Sequence, residues 1–393
     1  MTAAEAPLIF LVAGEPSGDV LGGKLMRALD DATAGAVRFA GVGGERMAEA
    51  GLDSLFPMAE IAVMGYLEVV PRIPRLLRLI GRTAAAARAR RPDAVVTIDS
   101  PDFTFRVAHR LRGAGVPLVH YVAPQVWAHR PGRAAHIATL FDHLMALLPF
   151  EPPLFERHGL ACTFVGHPVV EEGVEAGDGD AFRRRHGLDS AAPLVCLLPG
   201  SRRAEVLRHL PVMRATVAAL AAHRGPIATV VPTVPTVAET VAAMLAEWPV
   251  PPILVTDRAG KCDALAAADV AVAASGTVTL ELALAGLPAL VIYRTHPLTM
   301  WAARRLVRVR HIALANLVLD APVLPEFLQE ACRAETLAGG LTALLDDPAL
   351  RARQRAGLAE AAHRVGLGGD APSARAAAVV LDAITRGRRA AAA

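Results

Sequence analysis

Two carboxylates stand where a short apolar run gives way to a turn, the position from which a protein most easily presents a proton acceptor. Asp99 directly follows AVVTI in IDSPDF, and Glu15 follows LIFLVA in AGEPSGD. At the carboxyl end of a strand, between low-dielectric walls, Asp99 is suited to act as a general base, or more plainly to order a strand-to-helix junction. Glu15 is the alternative base. Asp102, ahead of a helix beginning near Phe103, reads as that helix's cap. In AGEPSGD, Gly14 and Gly18 read as residues of a tight turn, with Ser17 and Asp19 capping a helix that runs through Leu29. Such a helix start favours an anion or a sugar hydroxyl. The spacing is neither that of a dinucleotide fold nor that of a P-loop. GVGGERM, from Gly41 to Met47, is either a plain turn or a second cradle of this kind.

Anion chemistry recurs farther along. LLPGSRRAEV sets Gly200, Ser201, Arg202 and Arg203 at a strand-to-helix turn, where backbone donors and an arginine can hold a diphosphate. In VAVAASGTVTLELALAGLP, Ser275, Gly276 and Thr277 open another helix, with Glu281 one turn in and able to accept from ribose hydroxyls. Two such helix starts in one half of a chain argue for a nucleotide. Between the two carboxylates and this half, YVAPQVWAHRPGR carries Tyr121, Gln125, Trp127, His129, Arg130 and Arg133 in one loop, and FVGHP carries His167; these could wall a sugar or lipid pocket. Asp178 to Asp180 form a DGD that resembles a metal-binding pair. It lies in an acidic linker, however, so Asp180 is expected to cap the next helix and no metal is expected.

The elements that must position these groups follow from periodicity. Short apolar runs bounded by Gly and Pro alternate with helical segments, the pattern of parallel sheets with crossover helices. Strands are expected near 8–13, 37–42, 94–98, 118–122, 143–147 and 162–165, and again near 194–198, 227–231, 253–256, 270–273 and 289–293. The fold class is therefore α/β, with two doubly wound domains: 1–168, which would bind acceptor and lipid, and 169–365, which would bind the nucleotide sugar. Helices from about 366 to 393 could pack back on the first. Ligands of such sheets sit outside the carboxyl ends of the strands, here in a cleft between domains.

Composition sets the limits. A chain of 393 residues, 53% hydrophobic and 20% charged, has apolar surface for two cores and is not disordered. A formal charge of +3 from 41 basic and 38 acidic residues is too even for nucleic-acid binding. Only Lys24 and Lys261 among the basic residues are lysines. Cys162, Cys196, Cys262 and Cys332 lack any metal or disulfide spacing and read as buried cytosolic thiols. The amino-terminal residues lack the pattern of a signal peptide, and no run is long enough to span a membrane, so a cytoplasmic location is expected. Two segments nevertheless suit a membrane surface. VVPRIPRLLRLIGR aligns Arg72, Arg75, Arg78 and Arg82 beside Leu76, Leu79 and Ile80, and MWAARRLVRVRHI sets Trp301 beside Arg304, Arg305 and Arg308. Solvated basic helices are the competing reading of both.

Taken together, AGEPSGD, GVGGERM, VMGYLEVVPRIPRLL, IDSPDF, HYVAPQVWAHRPGR, LLPFEPPLFERHG, FVGHP, LLPGSRRAEV and ASGTVTLELALAGLP resemble, in order over roughly residues 8 to 330, the lipid-A-disaccharide synthases. The resemblance implies a GT-B glycosyltransferase, peripheral on the inner face of the Gram-negative inner membrane and acting in lipopolysaccharide synthesis. It implies a transfer that joins UDP-2,3-diacylglucosamine to 2,3-diacylglucosamine 1-phosphate, giving a β-1,6 disaccharide and UDP; an inverting displacement without metal or cofactor is the mechanism expected for it. By matching position, Asp99 is the base and Arg202, Ser275, Thr277 and Glu281 meet the UDP. Asn316, Glu326 and Gln329 in ANLVLDAPVLPEFLQ correspond to polar positions facing the nucleotide, although Ala315 stands where the family pattern has proline. Ser17, Met64, Arg72, Arg75, Gln125, Trp127, Arg130 and His167 are the acceptor and lipid candidates, with the segment from Val63 to Leu79 covering acyl chains. The partners expected are the two diacylated sugars and an anionic membrane, with a homodimer open. A UDP-sugar epimerase and a non-catalytic nucleotide-binding protein are the alternatives.

Overall fold

The computed structural model describes residues 6–61, 73–128, 132–189, 192–296, 300 and 309–392. The chain divides into two compact units, one of residues 1–168 and 369–393 and one of residues 169–368.

In the first unit, strands β1 (Leu8–Ala13), β2 (Arg38–Val42), β3 (Ala94–Ile98), β4 (Leu118–Tyr121), β5 (His143–Ala146) and β6 (Ala161–Phe164) form one parallel sheet in the order β2-β1-β3-β4-β5-β6. Helices α1 (Pro16–Ala32), α2 (Glu45–Glu49), α3 (Ile73–Arg90), α4 (Pro101–Leu111), α5 (Arg133–Ala138) and α6 (Pro152–Glu156) connect them. The second unit opens with α7 (Gly179–Arg185). Its strands β7 (Leu194–Leu198), β8 (Ala228–Pro232), β9 (Ile253–Val255), β10 (Val270–Ala274), β11 (Ala289–Tyr293) and β12 (Glu326–Leu328) pair in the order β12-β11-β10-β7-β8-β9, also parallel. Helices α8 (Arg203–Arg224), α9 (Ala238–Leu245), α10 (Arg258–Ala267), α11 (Val278–Ala285), α12 (Leu314–Leu319), α13 (Ala334–Asp346) and α14 (Pro348–Arg364) complete it, and α15 (Pro372–Ala392) returns to the first unit against α1.

Central parallel strands are covered on both faces, which is why they read as unbroken apolar runs. In β1, Phe10 and Val12 enter a core shared with Leu79, Ile80 and Ala84 of α3 and with Val107 and Leu111 of α4. Ile9, Leu11 and Ala13 point the other way, to Leu25, Met26 and Leu29 of α1 and to Ala376, Ala377, Val380 and Ile384 of α15. Strand β12 was not expected from the sequence: it is a three-residue edge just after Pro325, too short to show a period. The cap of α7 is Asp178, whose carboxylate accepts from the Ala181 amide at 2.8 Å, and not Asp180. All four cysteines are free and buried, and burial pushes the thiols of Cys162 and Cys196 up to about 12. No helix among the described residues is long and apolar enough to cross a membrane.

Candidate active site

Strand order reverses between β1 and β3 in the first sheet and between β10 and β7 in the second. Connections leave such a switch point in opposite directions and open a crevice at the carboxyl ends. The loops at these two points are 14–17 and 99–100 in the first unit, and 199–202 and 275–277 in the second.

In the first unit the β3 loop is held under backbone strain. Asp99 and Ser100 both lie in the left-handed region, at φ 50° and 46°, where a side chain is tolerated only when its surroundings over-determine it. The bonds that do so are local. Asp99 donates its amide to the Tyr121 carbonyl at 3.0 Å, its Oδ1 accepts from the Ser100 amide at 2.8 Å, and its carbonyl accepts from the Thr104 hydroxyl at 2.7 Å. Oδ2 accepts from the Ser17 hydroxyl at 3.1 Å, which joins the β1 loop to the β3 loop. Glu15 completes the group. Its side chain is exposed by area, yet partial desolvation and then the charges of Asp99 and Asp102 raise its carboxyl pKa. The geometry therefore gathers Glu15, Ser17 and Asp99 at one switch point.

The glycines act by close approach, not by turning. A Cβ on Gly14 would lie 2.6 Å from that of Ser100, and one on Gly18 would lie 3.2 Å from the Ile98 carbonyl oxygen. Helix α1 has Glu15 as its N-cap residue without a side-chain cap bond, so Ser17 and Asp19 do not cap it. Asp19 is 4% exposed and reaches across to GVGGERM, accepting from the amides of Gly44 at 2.7 Å, Arg46 at 2.9 Å and Met47 at 3.1 Å. That second glycine turn is thus filled by a carboxylate of the protein. Asp102 sits in the first turn of α4, whose N-cap is Ser100.

The other acceptor candidates divide. Gln125 is exposed in the loop after β4, and Trp127 in the same loop donates from Nε1 to Glu151 Oε1 at 3.1 Å. His167, after β6, is buried. Desolvation first, and then the Lys24 ammonium, lower its pKa to about 4, so it is neutral at pH 7. Arg75 pairs with Glu60 at 2.9 Å, and Arg82 lies 5.7 Å over the Phe56 ring. These two guanidiniums thus have partners within their own unit, while Ile73 and Leu77 of the same helix are 42% and 41% exposed. Met64, Arg72, His129, Arg130, Trp301, Arg304, Arg305 and Arg308 lie outside the described residues.

In the second unit the turn after β7 has Gly200 at φ 115° and Arg202 as N-cap of α8. Glu205 Oε2 accepts from the amides of Ser201 at 3.2 Å and Arg202 at 3.3 Å, while Oε1 pairs with the Arg202 guanidinium at 3.1 Å. An internal carboxylate therefore occupies the place expected for a phosphate, and the Arg202 side chain, 82% exposed, is free to reorient. After β10, Ser275 gives its amide to the Ile292 carbonyl at 3.2 Å and its hydroxyl to the Ile312 carbonyl at 2.7 Å, leaving no proton for a phosphate. Gly276, at φ 142°, and exposed Thr277 follow at this helix start, and their amides offer donors there. Glu281 projects from α11 against Lys261, whose ammonium lies 2.8 and 2.6 Å from its two oxygens.

Asn316, Glu326 and Gln329 form a set of internal bonds that the sequence did not show. The buried Asn316 amide donates to the Leu324 carbonyl and to Glu326 Oε1, both at 2.8 Å, and accepts from the Leu324 amide at 2.8 Å. Glu326 accepts from the amides of Ile312 and Ala313, each at 3.0 Å. Gln329 pairs with both backbone groups of Thr295, at 3.0 and 3.1 Å. These bonds hold the loops after β11 in place.

Sequence reasoning missed a cavity of about 310 Å³ in this unit, lined by Thr233, Pro235, Thr256, Arg258, Lys261 and Glu281 among others. Thr233 Oγ1 is buried there with no hydrogen-bond partner among the described residues. Of its lining, the sequence marks only Glu281 as a ligand contact; Lys261 stands out merely as one of two lysines in an arginine-rich chain. Among the described residues, no group of three or more His, Cys, Asp or Glu side chains is arranged to hold a metal.

Comparison with known proteins separates activities that the fold leaves together. The structure is similar to a solved glycotransferase of kitacinnamycin, with TM-score 0.63 and 17% identity over 96% of this chain and 98% of that one. It is equally similar to a putative UDP-N-acetylglucosamine 2-epimerase from Listeria monocytogenes, with TM-score 0.62 and 15% identity over 96% and 95%. At such identities the likeness establishes the fold, GT-B, and nothing finer. In sequence the chain is 56% identical over 381 residues to the lipid-A-disaccharide synthase of Rhodospirillum centenum, covering 96% of this chain and 95% of that protein. The family model described as Lipid-A-disaccharide synthetase matches residues 9–365. With a match of that span and a relative more than half identical over nearly its whole length, the chain belongs to the lipid-A-disaccharide synthase family of glycosyltransferases.

Proposed function

We propose that this chain transfers the diacylglucosaminyl group of UDP-2,3-diacylglucosamine to the 6-hydroxyl of 2,3-diacylglucosamine 1-phosphate, with inversion, releasing UDP. The observation that carries the reading is the strained strand-end turn that presents Asp99 beside Ser17 and Glu15 at the switch point of the first sheet. Asp99 accepts the proton of the acceptor's hydroxyl as that oxygen forms its bond to the anomeric carbon. The bond from that carbon to the diphosphate oxygen breaks with its electron pair, and UDP leaves. Ser17, which now donates to Asp99, keeps the carboxylate oriented.

The second unit is assigned the donor. Its cavity between the β8 and β9 loops and α10 takes the nucleoside, with Glu281 accepting from the ribose diol and Lys261 fixing the Glu281 rotamer. Arg202 exchanges Glu205 for the diphosphate, and the helix start at Gly276 and Thr277 adds donors aimed at charge that grows as UDP departs. No metal is needed in this scheme. Gln125, Trp127 and His167 are assigned to the acceptor. The exposed Ile73 and Leu77, beside Arg78, suit contact with acyl chains and an anionic membrane face from the cytoplasmic side.

The test is incubation of the purified protein in detergent with both diacylated substrates, with and without EDTA. Disaccharide and UDP in equal amounts, undiminished by EDTA, support the scheme. Absence of disaccharide refutes it, and loss of product with EDTA removes its metal-free part.

A further inference from the structure

Glu151 is a carboxylate that the scheme above does not use, and it is 2% exposed. It belongs to LLPFEPPLFERHG, at the turn between β5 and α6. A buried carboxylate is retained at a cost unless donors surround it. Here three converge: Oε2 accepts from the amides of Leu147 at 3.2 Å and Leu148 at 2.9 Å, while Oε1 accepts from Trp127 Nε1 at 3.1 Å. The first two close its own turn, and the third crosses to the loop after β4. Phe150 packs its ring edge-on to Trp127, with centroids 5.5 Å apart.

That loop is also linked to the catalytic turn. Asp99 donates its amide to Tyr121 at the end of β4, and the next residue, Val122, donates to Met145 of β5. Val122 is held at φ 82°, a conformation a β-branched residue adopts only under constraint. Three successive strand ends, those of β3, β4 and β5, are therefore tied in series, with Asp99 at one end and the Glu151 turn at the other.

We propose that Glu151 is a positioning residue for the acceptor: through Trp127 it clamps the loop carrying Gln125 into the conformation that receives the acceptor sugar. This rests on the assignment of that loop to the acceptor. Losing a buried hydrogen bond of this kind, with its partner left unsatisfied, corresponds to roughly 10- to 100-fold in the step that depends on it.

Glu151→Gln keeps an oxygen for the Leu147 and Leu148 amides but sets an amide NH2 against Trp127, so it breaks the crossing bond selectively. Trp127→Phe breaks the same bond from the other side. Both variants, and the double variant, are to be measured as full chains with acceptor and donor varied separately. The expected result is a roughly 10- to 100-fold fall in kcat/KM for the acceptor in each single variant, with UDP affinity and donor KM unchanged and the double variant no worse than either single one. The difference in fluorescence between wild type and Trp127→Phe, which isolates the Trp127 emission, should shift when Glu151 is Gln. Acceptor kinetics unchanged in Trp127→Phe, or fully additive losses in the double variant, would overturn the proposal. If Glu151→Gln does not fold, Glu151→Asp, which shortens the reach to Trp127, takes its place in the same measurements with the same expected results. Wild-type protein that makes no disaccharide would instead remove the functional assignment beneath it.

Discussion

Replacing Asp99 with Asn separates chemistry from architecture. The Asn carboxamide has the shape of the carboxylate, so its oxygen can keep the Ser100 amide now held at 2.8 Å. The Ser17 hydroxyl, which now donates to Oδ2 at 3.1 Å, can rotate and accept from the new NH2. Asn is also among the residues that best tolerate a left-handed backbone, which position 99 adopts at φ 50°. Folding stability is therefore expected to stay within about 0.5 kcal/mol of wild type. The proton acceptor is lost altogether. General-base catalysis contributes ~10²–10⁴ in rate, equivalent to roughly 2.7–5.4 kcal/mol of barrier. The assay is UDP release and disaccharide formation at saturating donor, with UDP affinity and the urea midpoint measured on the same preparation. A kcat down by two to four decades with both controls unchanged is the expected result. If Asp99→Asn keeps more than about a tenth of the activity, a loss about tenfold short of the lower edge of that range, while Glu15→Gln abolishes it, the base is Glu15 and the reasoning from the Asp99 turn is wrong.

Three further outcomes follow from particular contacts. Lys261→Met removes the ammonium that contacts both Glu281 oxygens, and UDP affinity measured by calorimetry should fall about tenfold, with less discrimination against 2′-deoxy-UDP; unchanged discrimination would detach Glu281 from the ribose. Burial lowers the His120 pKa to about 3, so the unfolded chain takes a proton that the native one refuses. Stability from this source is complete above pH 6.5 and is lost as pH falls toward 3, by about 2 kcal/mol at pH 5. Glu151, raised to about 7 by burial, works in the opposite sense between pH 7 and 4.5. His167, lowered to about 4 chiefly by burial, adds a loss of similar size to that of His120, so the two histidines together outweigh Glu151. The urea midpoint should therefore be lower at pH 5 than at pH 7.5, and His120→Asn should reduce the difference; a flat midpoint in wild type would contradict the burial argument. Finally, high salt should release the protein from anionic vesicles, and a double Ile73→Ser, Leu77→Ser variant should bind them less at every salt concentration. Binding that ignores both would exclude helix α3 as the membrane face.

The sheets were legible because buried parallel strands need uninterrupted apolar runs, and β1, β3, β7 and β11 fall on the expected residues. The place of Asp99, directly after a strand, was legible for the same reason: it ends such a run. What the sequence hid are bonds between a side chain and a distant backbone. Asp19 looks like the cap of its own helix, yet it serves amides more than twenty residues away. Gly14 and Gly18 were read as turn formers because local spacing cannot show that another loop lies against them. Asn316, Glu326 and Gln329 were read for their polarity alone, and their internal partners at Leu324, Ile312 and Thr295 appear only in the fold. Lys261 lies in no recognisable motif, and its use emerges only when α10 and α11 are side by side.

Helix α15 supplies Ala376, Ala377, Val380, Ala383 and Ile384 to the core of the first unit, with Arg375 over the Phe164 ring and Arg388 on Asp93. That core cannot close until a segment separated from it by some two hundred intervening residues has been synthesised. During translation the inserted unit is consequently free to mature first, while the earlier-made half waits with one side of its sheet only partly covered, by α1. A nonsense codon shortly before Pro372 would thus damage the part of the enzyme made earliest and spare the part made last, making chaperone dependence, more than nucleotide affinity, the trait to watch in such truncations.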